Sequence, residues 1–334
     1  MTITSISDLA SNLLLRSNSS RLRGDLSRLV GELSSGRVAA RETAVDGSFR
    51  AVSAIQQSIS RLDAFKISAT EAAGFAGAVQ DSLGAIHDLT SDLSTAFIAA
   101  GGAGTITQAS ALAEEARQDF TFITNKLNTQ YAGRSLFAGA TTDRAAVIDG
   151  ADILNAVKTA VSGATTAAGV AAAVDAWFAP GADFDTIAYL GSDKPLASMQ
   201  VGSDRSVALQ VTAADDEFRE MLKGATLAVL VNDGPLVGNA AEQMDLARLA
   251  GKTLIAGNEA LLDLRASVGL VEERIEAASV ANASESSAMT TALLAFVTKD
   301  EFDGASELRQ IESQIEILYT LTARTSALRL TDYL

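Results

Sequence analysis

Catalysis by side chains needs a nucleophile, a base or a bound metal, and this sequence supplies few of them. It has one histidine, His87, and no cysteine. A triad needs a base held within reach of its nucleophile, and a metal centre needs about three or four converging ligands. His87 follows Ile86, an apolar position in a helical stripe, and reads as an exposed helical side chain. No HExxH motif is present, which excludes a zinc-protease insertion. Gly101-Gly102-Ala103-Gly104 lacks the GxGxxG register and follows no strand, so it makes no phosphate cradle. Asp215-Asp216-Glu217 lacks the spacing of a calcium loop and reads as a helix start, where carboxylates suit the dipole. The expectation is a non-enzyme with no cofactor and no metal.

The elements that carry these residues follow from composition. Of 334 residues, 48% are hydrophobic, 20% charged and only 5% aromatic. Ala, Leu, Ile and Val must therefore build the core, which suits close-packed helices better than a sandwich of sheets. A net charge of −15 argues against nucleic acid, whose phosphates demand clustered Lys and Arg, and against an anionic membrane. Met1 to Leu15 has neither a basic start nor a long apolar run, so no cleaved secretory signal is expected. Absence of cysteine fits either a cytosolic protein or a chain exported unfolded.

All three prolines, Pro180, Pro195 and Pro235, fall in one central window. On either side, nothing forces a helix to stop. Leu22, Leu26, Leu29 and Leu33 are spaced 4, 3, 4. Val79, Leu83, Ile86, Thr90, Leu93 and Phe97 continue that rhythm with one polar position. The C-terminal half answers with Leu261, Leu264, Val268, Val271, Ile275 and Ala278, then with Leu308, Ile311, Ile315 and Leu318. Such spacing lines one narrow face of a helix, as in a coiled coil or bundle. Ser34-Ser35-Gly36, Gly101 to Gly104 and Asp300 to Gly304 mark the breaks.

The expected fold is mainly α: a long antiparallel helical rod or coiled coil built from N- and C-terminal arms, with a small α+β central insertion. Residues 1–38 pair with 300–334 as assembly helices, 39–142 with 238–299 form the rod, and 143–237 make a separately folded, solvent-facing domain. Within that middle, 150–178 reads as Ala-rich helix, Asp185 to Leu190 and Arg205 to Val211 as short strands, and Asp215 to Val231 as an amphipathic helix with an Asp cap. The terminal helices each have an apolar stripe and a single intramolecular partner, so they are expected to become ordered on assembly.

Four segments carry a resemblance. Leu33-Ser34-Ser35-Gly36-Arg37-Val38 resembles the segment after the first helix of flagellins. Tyr131-Ala132-Gly133-Arg134-Ser135-Leu136-Phe137-Ala138-Gly139 is similar to a segment of the hook–filament junction proteins, as are Tyr189 to Asp193 followed by Arg205-Ser206-Val207. The end, Leu330-Thr331-Asp332-Tyr333-Leu334, resembles theirs too. These matches occur in the family's order. Two places depart from it: Ala39 to Gly47 lacks the family's proline and keeps only Asp46 of its acidic residues, and Leu321 to Ser326 replaces a glutamine- and serine-rich stretch.

The resemblance to this flagellin-like family implies an extracellular structural subunit of the bacterial flagellum at the hook–filament junction. It implies self-assembly in a ring through the terminal helices, with Leu22, Leu26, Leu29, Leu33, Leu308, Ile311, Ile315, Leu318, Leu330, Tyr333 and Leu334 at the interface. It also implies three partners, namely an adjacent hook-associated protein, filament flagellin and an export chaperone. A filament flagellin is the alternative, and a secreted coiled-coil effector a second.

Overall fold

The computed structural model describes residues 3–38 and 48–331. Eight α-helices dominate the described residues: α1 (Ile3–Ser35), α2 (Ser48–Ala103), α3 (Ile106–Leu127), α4 (Gly150–Val161), α5 (Ala167–Phe178), α6 (Asp216–Asp233), α7 (Ala240–Val297) and α8 (Glu301–Thr331). Two antiparallel hairpins join them, β1 (Gln130–Tyr131) with β2 (Arg134–Ser135) and β3 (Met199–Gln200) with β4 (Ser206–Val207). The fold is mainly α, with a small β content. Among the described residues, no helix is long and apolar enough to cross a membrane.

The chain forms two compact units, Met1–Leu62 with Ser284–Leu334, and Asp63–Ala283. In the second, the 4-3-4 stripe of α2 is buried at Val79, Leu83, Ile86, Thr90 and Phe97, and that of α7 at Leu261, Leu264, Val268, Ile275 and Ala278. The helices run antiparallel in steady register. Gln80 Nε2 donates to the Arg265 carbonyl at 3.1 Å, Thr90 bonds Asn258, and Gly251 packs on Ile98. The turn into α3 is closed by a capping box, in which Thr105 and Gln108 satisfy each other's backbone N–H groups.

The middle does not fold separately. One buried cluster runs from Ala69 on α2 through Ile153, Trp177 and Phe218 to Ala278 on α7. The reason lies in α6, which is buried nearly all round, including Leu222, Ala225, Leu227, Ala228, Val229 and Leu230. An amphipathic helix would present one dry face, whereas this one is inserted into the bundle. It crosses α7 so closely that a Cβ at Gly257 would lie 2.7 Å from the Met221 Cα. At its C-terminal end, Asp233 takes ion pairs from Arg117 on α3 and Lys158 on α4. Burial opposes the charge of Asp233, but the bonds from Lys158 and Arg117 outweigh it and hold the carboxyl below its usual range.

Three further expectations are corrected. Phe184–Ala188 forms a single π-helical turn, not a strand, and only Tyr189 pairs, across to Val147. Its reason is a buried arginine. Arg219 bonds the Phe178 and Ala214 carbonyls and the Asp185 carboxylate, and stacks 5.1 Å from the Phe184 ring, coiling the segment around it. In 205–211 only Ser206–Val207 is strand. Asp215 precedes α6 as expected, but its carboxylate turns back to accept from the Thr212 backbone N–H and hydroxyl and makes no cap bond to the helix.

Candidate functional site

The leucines of α1 and the aliphatic residues of α8 meet within the terminal unit. Leu22 and Leu29 are buried there. Leu26, Leu33, Leu308, Ile311, Ile315 and Leu318 are half-buried. Arg23 lies beside Tyr319, donating to its hydroxyl at 2.7 Å, while Leu33 packs over Gly304, so the two helices are antiparallel. Thus the expected interface residues form the seam between helices of one chain. The pair needs no second copy to bring those stripes together. Leu330 falls in α8 without a described side chain, and Tyr333, Leu334 and the 39–47 departure lie outside the described residues.

The segment after α1 is tied to this seam. Gly36 has φ +66°, a left-handed conformation that ends the helix at little cost to glycine. Ser35 Oγ donates back to the Gly31 carbonyl at 2.7 Å. The Gly36 carbonyl then accepts from Lys299 N at 3.2 Å, Arg37 pairs across from Thr298, and Val38 N donates to Val297 O at 3.1 Å. Across that junction Asp300 caps α8 by accepting from Phe302 N at 2.8 Å. The Leu33–Val38 motif therefore works as a clasp between the end of α1 and the turn from α7 to α8.

What the seam leaves open is the outer face. Ile317 lies two residues from Ile315, about 200° round the helix, and is 62% exposed, with Leu321 one turn beyond. Phe302 is 83% exposed. On α1, Leu13 sits half a turn out of phase with Leu22 and is 68% exposed, and Leu14 and Val30 flank the seam. Reading only the 3-4 stripe missed these residues. Their signal was the presence of large apolar side chains off the stripe.

The second segment singled out by its motif is the β1–β2 hairpin. Ala132 and Gly133 both have positive φ, 49° and 77°, which turns the chain tightly enough for Gln130 to face Ser135. Tyr131 stands edge-on to Phe75 with centroids 6.4 Å apart and fills the space over Gly74. Arg134 reaches Glu71 at 2.9 Å and lies 5.7 Å from the Phe75 ring. Leu136, Phe137 and Ala138 are buried, Phe137 edge-on to Phe218. Gly139, at φ +60°, would place a Cβ 2.5 Å from the Ser192 carbonyl oxygen. This motif pins the hairpin onto α2 and α6. Tyr189 likewise folds over Gly191 and donates to the Ser192 carbonyl at 3.0 Å.

His87 is half-buried, contrary to the exposed position expected, and its Nδ1 has no hydrogen-bond partner. Among the described residues no three His, Asp or Glu side chains converge as metal ligands would.

Neither a family profile nor a curated protein sequence matches the chain. Its structure is similar to one described as that of a candidate flagellar hook-associated protein from Vibrio parahaemolyticus. The two are 17% identical, the match covers 73% of this chain and 92% of the other, and the TM-score is 0.41.

Proposed function

We propose that this chain is a structural subunit of the bacterial flagellum, not an enzyme, that forms the junction between hook and filament. It is exported and assembles outside the cell through α1 and α8. The observation that carries this reading is the terminal pair: each helix is covered on one side by the other and presents large apolar side chains on the reverse. Covering Leu13, Leu14, Val30, Phe302, Ile317 and Leu321 with neighbouring copies offers about 5–10 kcal/mol per subunit before association costs.

The junction, as opposed to the filament itself, is supported by the resemblance of the Tyr131 to Gly139 and Leu330 to Leu334 segments to the hook–filament junction proteins. Its partners are copies of itself in a ring, a hook-associated neighbour, filament flagellin and an export chaperone. Deleting the gene tests this. Hooks without attached filaments, with filament protein released into the medium, are the expected result, and normal attached filaments overturn it.

A further inference from the structure

Beyond β4, residues Ala208 to Val211 run beside α7. All four border an open groove of about 660 Å³ whose other wall is Leu264, Ser267, Val268 and Val271. Side chains of an extended chain alternate between two sides, so four consecutive residues line a groove only where the main chain itself faces it. Leu209 and Val211 are buried and anchor the segment. Among the described residues, no backbone N–H or carbonyl of 208–211 has a hydrogen-bond partner. Beyond the paired strand the chain thus leaves backbone groups that need water or another chain to satisfy them.

The rim adds a charge. Asp215, Asp216 and Glu217 line the groove, and no Lys or Arg does. Asp215 is taken up by Thr212, and Asp216 lies 3.9 Å from Arg219 Nε. That leaves Glu217 to meet a cation.

We propose that this groove binds an extended basic peptide segment, which adds a strand along Ala208–Val211. Its alternate aliphatic side chains rest on Val271, which is half-buried, and a Lys or Arg meets Glu217. The inference rests on the groove alone and is independent of the flagellar reading.

The test titrates the full chain with a fluorescent synthetic peptide of about six residues alternating Lys and Val. Saturable binding below about 1 mM is expected, and Glu217→Lys and Gln210→Pro should each weaken it about tenfold in variants whose circular dichroism is unchanged. A peptide of the same charge with alternate backbone nitrogens methylated separates strand pairing from simple attraction to an acidic protein. It should not bind. Equal binding of the methylated peptide, failure of the parent peptide to saturate, or indifference to Gln210→Pro in the folded variant would each overturn the proposal.

Discussion

The Thr90 hydroxyl on α2 hydrogen-bonds the Asn258 side-chain amide on α7, in the middle of stripes that are otherwise apolar. The single hydroxyl proton of Thr90 also has the Ile86 carbonyl of its own helix within reach at 2.8 Å, so Asn258 is the partner that depends on the pair. A slip of either helix would strand a buried amide against Leu or Val. The polar position in the 4-3-4 stripe therefore sets the register of two helices that aliphatic packing alone would let slide.

Thr90→Val should cost about 1–3 kcal/mol by leaving the Asn258 amide unsatisfied. Adding Asn258→Leu should recover most of that loss. A double-mutant cycle in urea is the measurement, and strict additivity of the two changes would mean the bond contributes nothing.

The β1–β2 turn makes a prediction of opposite signs. Ala132 holds φ 49°, where an L side chain is strained, so Ala132→Gly should stabilise by about 0.5–1 kcal/mol. Gly139→Ala should destabilise by about 2 kcal/mol or more, because its Cβ meets carbonyl oxygens that cannot withdraw. Gly133→Ala, with open space around it, should cost less than Gly139→Ala. Thermal melts of the three variants give the order directly.

Asp119 on α3 is half-buried, and burial first, then the charge of Glu115, push its carboxyl up to about 6. The folded state therefore binds this proton more tightly than the unfolded chain does. The resulting stability is complete below about pH 4 and is lost as pH rises through about 6. Asp119→Asn should be neutral at pH 4 and stabilising by about 1 kcal/mol at pH 8, after allowance for solvent screening at this site. Denaturation midpoints at the two pH values check it.

Assembly and pairing should separate genetically. Ile317→Asp with Leu321→Asp leaves the α1–α8 seam untouched and should change monomer melting little while preventing polymer formation. Leu29→Asp, at a fully buried seam position, should melt the terminal pair itself. Light scattering and helical circular dichroism distinguish the two. Polymer from the double variant would move the interface elsewhere.

Replacing 150–230 by a Gly/Ser linker should lose more helix than the removed residues contain. The excision takes α6, and with it the cover of Gly257 and the partner of α3. Circular dichroism of the truncated chain measures it. A loss confined to the excised helices would mean that α2, α3 and α7 hold without α6.

Much of this molecule follows from the order of residues alone. The 3-4 spacing of Leu22 to Leu33 and of Val79 to Phe97, the Gly36 stop and the break at Asp300 are local signals, because helix phase and termination depend on residues within a turn or two. The tight turn at Ala132 and Gly133 is local too, because a positive φ suits glycine. Only the tertiary structure decided that the middle shares the core of α2, α3 and α7, that Arg219 coils Phe184–Ala188 into a π turn, and that the leucine stripes of α1 and α8 meet in one chain. Apolar periodicity tells which face of a helix must be covered, not what covers it. Partners such as Met221 and Gly257, or Leu29 and the seam of α8, are brought together by packing across long sequence separations, and it was that packing that turned Ile317 and Leu321 outward.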